Sequence, residues 1–246
     1  MKTLSRILAV ISLGLLITMG LADQLAAQEG GRVQIRTYSL SGDISELMLA
    51  GPDGGVQMTI PSARRSQALG YRGKPELIFF RAVDQLEEGK LIPAARVNIS
   101  GKGRAPLLIF QKQEKPAEGE LPYKVWAIDD SLNGFPAGSC RFVNLSNKPL
   151  MLLLGPEGKD RVSLGAGAEE LHRLGADFKG NLAVKAAYRE NGKVVPAFDS
   201  RVFPAKGCRD IYFIWPLSRA EEEPGNKIRL SVLRERSDYA RKSIGS

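Results

Sequence analysis

Arg36-Thr37-Tyr38-Ser39-Leu40-Ser41 and Arg141-Phe142-Val143-Asn144-Leu145-Ser146 are two versions of one stretch, 105 residues apart. Working outward, Gly51-Pro52-Asp53-Gly54 returns as Gly155-Pro156-Glu157-Gly158 after 104 residues, and Gly89-Lys90-Leu91-Ile92-Pro93-Ala94 as Gly192-Lys193-Val194-Val195-Pro196-Ala197 after 103. A repeat that keeps its order and nearly its offset describes two copies of one domain. The 246 residues then divide into two units near 100 residues each, a size that folds without a metal or many disulfides. The expected layout is a signal peptide over 1–27, domains over 33–130 and 136–235 joined by a short linker, and a disordered tail over 236–246.

Within each unit the segments are short, rich in β-branched and aromatic residues, and bounded by Gly, Pro, Asn or Asp. The first unit reads as strands at 33–40, 46–50, 56–60, 77–83, 90–94, 96–99, 107–112 and 123–128. The second reads as strands at 141–145, 150–154, 161–164, 182–188, 193–198, 201–203, 211–215 and 227–233. Asn191-Gly192 is the sharpest hairpin signal, because both residues tolerate the positive φ of a type I′ turn. The pattern predicts an all-β chain of two tandem Ig-like β-sandwich domains. Leu77–Phe80, Met151–Leu154 and Ile211–Trp215 are apolar without alternation, so some strands must be covered on both faces, in part by the sister unit. Ser66–Leu69 and Ala168–Leu174 fall at matching places and read as short helical turns or irregular crossovers. The charged stretches Gln113–Glu120 and Arg219–Asn226 read as solvated hairpin tips.

Lys2 and Arg6 precede an apolar run of 13 residues, Ile7–Met19, and small residues follow at Ala22 and Ala26-Ala27. This is the layout of a cleaved export signal, too short to cross about 30 Å of hydrocarbon. No later run is long enough for a membrane helix, so no integral span is expected after cleavage, and the expected location is periplasmic or secreted. The formal charge of +8 falls to +7 once Lys2, Arg6 and Asp23 are removed with the signal. A basic exported protein is drawn to anionic partners, here an anionic envelope component or another envelope protein. Nucleic acid is not an expected partner outside the cytoplasm.

Few residues could carry chemistry. Cys140 and Cys208 each precede or open a predicted strand, in the similar contexts Phe135-Pro136-Ala137-Gly138-Ser139-Cys140-Arg141 and Phe203-Pro204-Ala205-Lys206-Gly207-Cys208-Arg209. If the first strand of the unit pairs in parallel with a late one, the two could meet, and an oxidising compartment predicts a disulfide worth about 4 kcal/mol. Unit one has Ile35 and Arg104 at those places, so the fold does not require the bridge. His172 is the only histidine and sits among charged residues, which leaves no metal set and no catalytic triad. Asp129 and Asp130 are adjacent, so on an extended chain they point apart and suit a turn better than a shared site. Trp215 reads as core, whereas Trp126 is the candidate ligand contact. No cofactor motif is present. The expected function is a non-catalytic binding or scaffold module of the cell envelope. The alternatives are a periplasmic chaperone-like protein that pairs by β-strand addition, and an enzyme acting on envelope polysaccharide.

Arg141–Ser146, the apolar strand after it and Gly155-Pro156-Glu157-Gly158, roughly fifteen residues in all, resemble the exported tandem β-sandwich repeats of bacterial envelope proteins of unknown function. They are also similar in style to the small periplasmic accessory proteins of alginate acetylation. The resemblance implies an Ig-like or related sandwich and no catalytic residues. The layout also looks like that of periplasmic pilus chaperones. Those use a long alternating strand, whereas Leu107-Leu108-Ile109-Phe110 does not alternate, and the two units here resemble each other more closely.

Overall fold

Val33, Ile35, Thr37 and Tyr38 give Val33–Ser39 the content of a strand, and these residues form β1 of the computed structural model. The structure describes residues 32–51, 54–81, 92–155, 158–175, 178, 180–216 and 228–244. The signal expected over 1–27 and the loop expected over 219–226 lie outside the described residues.

Unit one continues with β2 (Ile44–Gly51), β3 (Gly54–Ile60), β4 (Leu69–Tyr71), β5 (Glu76–Arg81), β6 (Pro93–Asn98), β7 (Pro106–Lys112) and β8 (Tyr123–Asp129). Unit two contains β9 (Ser139–Asn144), β10 (Leu150–Leu154), β11 (Asp160–Leu164), β12 (Glu169–Arg173), β13 (Leu182–Glu190), β14 (Lys193–Val202), β15 (Cys208–Pro216) and β16 (Ile228–Arg236). The sheets of unit one have the orders β4-β1-β7-β8 and β3-β2-β5-β6; those of unit two are β12-β9-β15-β16 and β11-β10-β13-β14. Adding eight to each label of the first unit yields the second. The chain is two tandem β-sandwiches that correspond strand for strand, each with one parallel pair at its centre, β1·β7 and β9·β15.

The copying extends to irregularities. Phe79 pairs with Ala95 and Phe80 with Pro93, leaving Ala94 as an extra residue; Ala186 pairs with Phe198 and Ala187 with Pro196, leaving Ala197. Each Pro-Ala therefore makes a β-bulge on an edge strand, where proline's missing N–H costs no ladder bond. The residues over 193–202, read as two strands, form the single strand β14. The expected turn at Asn191-Gly192 forms, with φ of 52° and 76°.

Two expectations are corrected. The stretch Ser66–Leu69 is an irregular crossover as far as Ala68 and then enters the edge strand β4, whereas Ala168–Leu174, read the same way, holds the edge strand β12; the two strands run antiparallel to β1 and β9. They are short, and β12 is mostly charged, so backbone pairing rather than apolar patterning holds them. The tail expected to be disordered instead forms a helix, α1 (Ser237–Ile244). Asp238 in its first turn suits the helix dipole, Ala240 is fully buried, and the Ser237 N–H donates to the Gly207 carbonyl at 2.9 Å.

Strand alternation divides the buried side chains into three cores. In unit one Ile35, Leu108 and Phe110 face inward with Leu47, Leu49 and Phe79. In unit two Phe142, Tyr212 and Ile214 face inward with Leu152, Leu154 and Val184. The opposite faces of the same central strands supply Tyr38, Leu107, Ile109, Val143, Ile211 and Phe213, which form a third core between the units. Tyr38 and Phe213 stack across it with ring centres 5.4 Å apart. This shared core is why Ile211–Trp215 reads as apolar on both faces; Leu77–Phe80 and Met151–Leu154, expected to be covered likewise, lie in the sheets that do not supply it, and Met151 is exposed. Among the described residues no helix is long and apolar enough to cross a membrane.

Candidate functional site

Because β1 runs parallel to β7, and β9 to β15, the downstream ends of each pair arrive together. Leu40 and Lys112 from unit one meet Leu145 and Trp215 from unit two, around a cleft of about 670 Å³. Lys115 and Lys124 add charge from one side, Arg229 from the other, and Glu114 is the carboxylate among the described lining residues. The Arg229 guanidinium lies 3.9 Å from the centre of the Trp215 ring, close enough for cation–π attraction to hold its plane. Trp215 is buried, as its sequence context predicted, and its indole N–H has no hydrogen-bond partner.

Trp126, the candidate ligand contact, is half-buried against the shared core. It occupies the same face of β8 as Lys124, whose Nζ sits 5.0 Å from the ring centre. The two tryptophans thus lie in one inter-unit seam, each beneath a cation. The cleft draws on residues between 40 and 229, which no local motif joins.

The other end of the shared core holds a buried ion cluster. β8 runs into Asp130 and β16 ends near Glu235; Asp130 pairs beside Ala105 as Glu235 pairs beside Arg209, so the two carboxylates are repeat equivalents. Asp130 is completely buried. It accepts hydrogen bonds from Arg65 Nε and Nη2 at 2.9 and 3.2 Å and also pairs with Arg36. Glu235 takes Arg36 Nη1 at 2.7 Å and Arg209 Nε at 2.9 Å. Arg209 Nη1 also donates to the carbonyls of Asp130 and Phe135. Burial alone would raise the Asp130 carboxyl, but Arg65, Arg36 and Arg209 overcome it and hold it below its ordinary value. Burial likewise lowers Arg209, against the pull of Asp130 and Glu235. Asp129 takes the turn role expected of the pair, accepting the Ser131 N–H at 3.0 Å, whereas Asp130 joins the units. Superposing the repeats places Asp130 on Glu235 but carries no sign that the two meet in one cluster.

The linker is clamped too. Phe135 is fully buried with the guanidiniums of Arg141 and Arg209 at 4.9 and 5.2 Å from its ring centre. Arg141 is the counterpart of Arg36, yet it pairs with Glu169 at 2.6 Å. The cleft is therefore held between units fixed by an apolar core, an ion cluster and a packed linker.

The disulfide expected of Cys140 and Cys208 is not formed; both are free, buried thiols. β9 and β15 are parallel neighbours as anticipated, but the register sets Cys140 opposite Asp210, two residues past Cys208. That diagonal separates the Cα atoms by roughly 8 Å, beyond the reach of an unstrained bridge. Burial, then Asp210, pushes the Cys140 thiol up to about 12. Although His172 stands opposite Cys140 on β12, the thiol is protonated at neutral pH and a poor nucleophile. Asn144, in an Asn-Leu-Ser sequon, is fully buried, and its amide donates to the carbonyls of Lys148, Leu164 and Gly165.

No family model matches the chain, and no curated protein matches it. Two solved structures share some of its shape. A candidate cell adhesion protein from Bacteroides eggerthii is 9% identical with a TM-score of 0.25, over 85% of this chain and 97% of that one. A multi-modular glycogen-degrading pneumococcal virulence factor is 11% identical with a TM-score of 0.20, over 69% of this chain and 27% of that one. At these scores neither bears on what this chain binds.

Proposed function

We propose that the chain is an exported, non-catalytic binding module of the cell envelope, and that the cleft between its units holds an anionic envelope polymer. The observation that carries this reading is the meeting of Lys112, Lys115, Lys124 and Arg229, from both units, beside Trp215. Cations on two walls suit a chain of carboxylates or phosphates, and the half-buried Trp126 nearby offers part of an apolar face of the kind sugar rings stack on. The rigid seam supports the reading, since a preformed site spends little free energy on ordering. The protonated Cys140 thiol favours binding over cysteine chemistry.

Retention on polygalacturonate, with neutral dextran as reference, tests the reading. The protein should bind the acidic polymer alone and elute as salt rises, since exposed charges are screened within about 8 Å at physiological ionic strength. Lys124→Gln with Arg229→Gln should abolish retention, and Trp126→Ala should weaken it. Equal retention on dextran, or full retention by the double variant, contradicts it.

A further inference from the structure

The rim of β3 differs from the other long sheet edges. An edge strand offers unpaired N–H and C=O groups to any extended chain, and proteins blunt such rims with charge, proline or brevity. Among the described edge strands, β6 and β14 carry Pro93 and Pro196, β8, β11, β12 and β16 carry charged residues, and β4 has three residues. β3, Gly-Gly-Val-Gln-Met-Thr-Ile over Gly54–Ile60, has none of these devices. Its Val56 is 45% exposed.

A groove of about 580 Å³ lies against β3. Four consecutive residues, Val56 to Thr59, line it. Successive strand residues point to opposite faces, so the groove follows the rim of the strand and not one face of the sheet. Its far wall is the crossover from β3 to β4, with Arg64 and Arg65, and Tyr239 of α1 also lines it. Arg64 is exposed. Arg65 is buried, and its Nη1 has no hydrogen-bond partner while its other nitrogens hold Asp130. Among the described residues unit two differs at this place: β11 opens on Asp160-Arg161, and its crossover to β12 is four residues against eight in unit one.

We propose that β3 receives an extended, acidic peptide segment of another protein as an added strand, with a carboxylate set against Arg64. Main-chain pairing along the rim supplies affinity, and the arginine side of the groove supplies the preference for negative charge. This site is separate from the inter-unit cleft and does not rest on polymer binding there.

Fluorescent peptides of about eight residues, alternating valine and threonine along one strand length, test it when they end in a glutamate, glutamine or lysine pair. The glutamate peptide should bind about tenfold tighter than the glutamine peptide, with the lysine peptide weakest. Arg64→Glu should reverse that order, Thr59→Lys should weaken all three, and bound peptide should slow amide exchange at Gln57–Thr59. Both variants should keep their retention on polygalacturonate, which separates failure here from failure of the cleft. Equal affinity for the three peptides overturns the proposal, as does no binding at about millimolar concentration. Self-association of the unmodified protein that Thr59→Lys abolishes would give the rim to a second copy and also overturn it.

Discussion

The two units have eight strands each in matching order, a duplicated bulge and the same parallel centre, yet differ in the charged residues where they face each other. Arg36 reaches into the ion cluster, whereas its counterpart Arg141 turns to Glu169 and the linker. Unit two places Arg209 where unit one has Ala105, and unit one alone has the longer crossover that delivers Arg65. Inside the sandwiches the exchanges are milder, such as Ile35 for Cys140, both fully buried. The contrast teaches that the sandwich needs only its alternating apolar faces. Arg65 and Arg209, which distinguish the copies, serve the seam between them.

The largest expected effect comes from the seam. Asp130→Ala strands buried guanidiniums and should cost about 3–5 kcal/mol in chemical denaturation. The same carboxyl sets an acid limit. Its folded pKa lies below its unfolded value, so its contribution is complete above the ordinary pKa of 3.8 and is lost as pH falls through the lower folded value. Denaturation midpoints should therefore drop at the acid end of a pH series, and drop less in Asp130→Asn.

Next comes the apolar part of the shared core. Ile109→Ala removes a fully buried side chain from between the units and should cost about 2–5 kcal/mol. If the seam were loosely packed, the loss would fall well below that of Leu108→Ala, which empties the core of unit one instead.

How much of this could be read from the chain follows from the same contrast. The repeat, the strands with clear apolar content and the doubly covered centre were legible, because each leaves a local signal. β4 and β12 were not, since Leu69-Gly70-Tyr71 and Glu169–Arg173 are held by ladder bonds to β1 and β9 that composition does not reveal. Arg36, Arg65, Arg209, Asp130 and Glu235 resembled ordinary surface charge until the fold drew residues up to 199 positions apart into one buried cluster. Trp126 was legible as a residue to watch, but the neighbouring cleft was not, because its lining is drawn from both units.

The smallest effect concerns the thiols that only unit two carries. Thiol titration should count two free groups in denaturant without reductant and slow reaction in the native state, as both cysteines are buried. No free thiol in denaturant would mean that the register of β9 and β15 permits a bridge after all.

Two copies of one sandwich are joined here by a shared core. Differential scanning calorimetry of the intact chain tests this directly. It should show one transition whose calorimetric and van't Hoff enthalpies agree, because neither copy can unfold without exposing the seam. Two separable transitions, one for each unit, would contradict it.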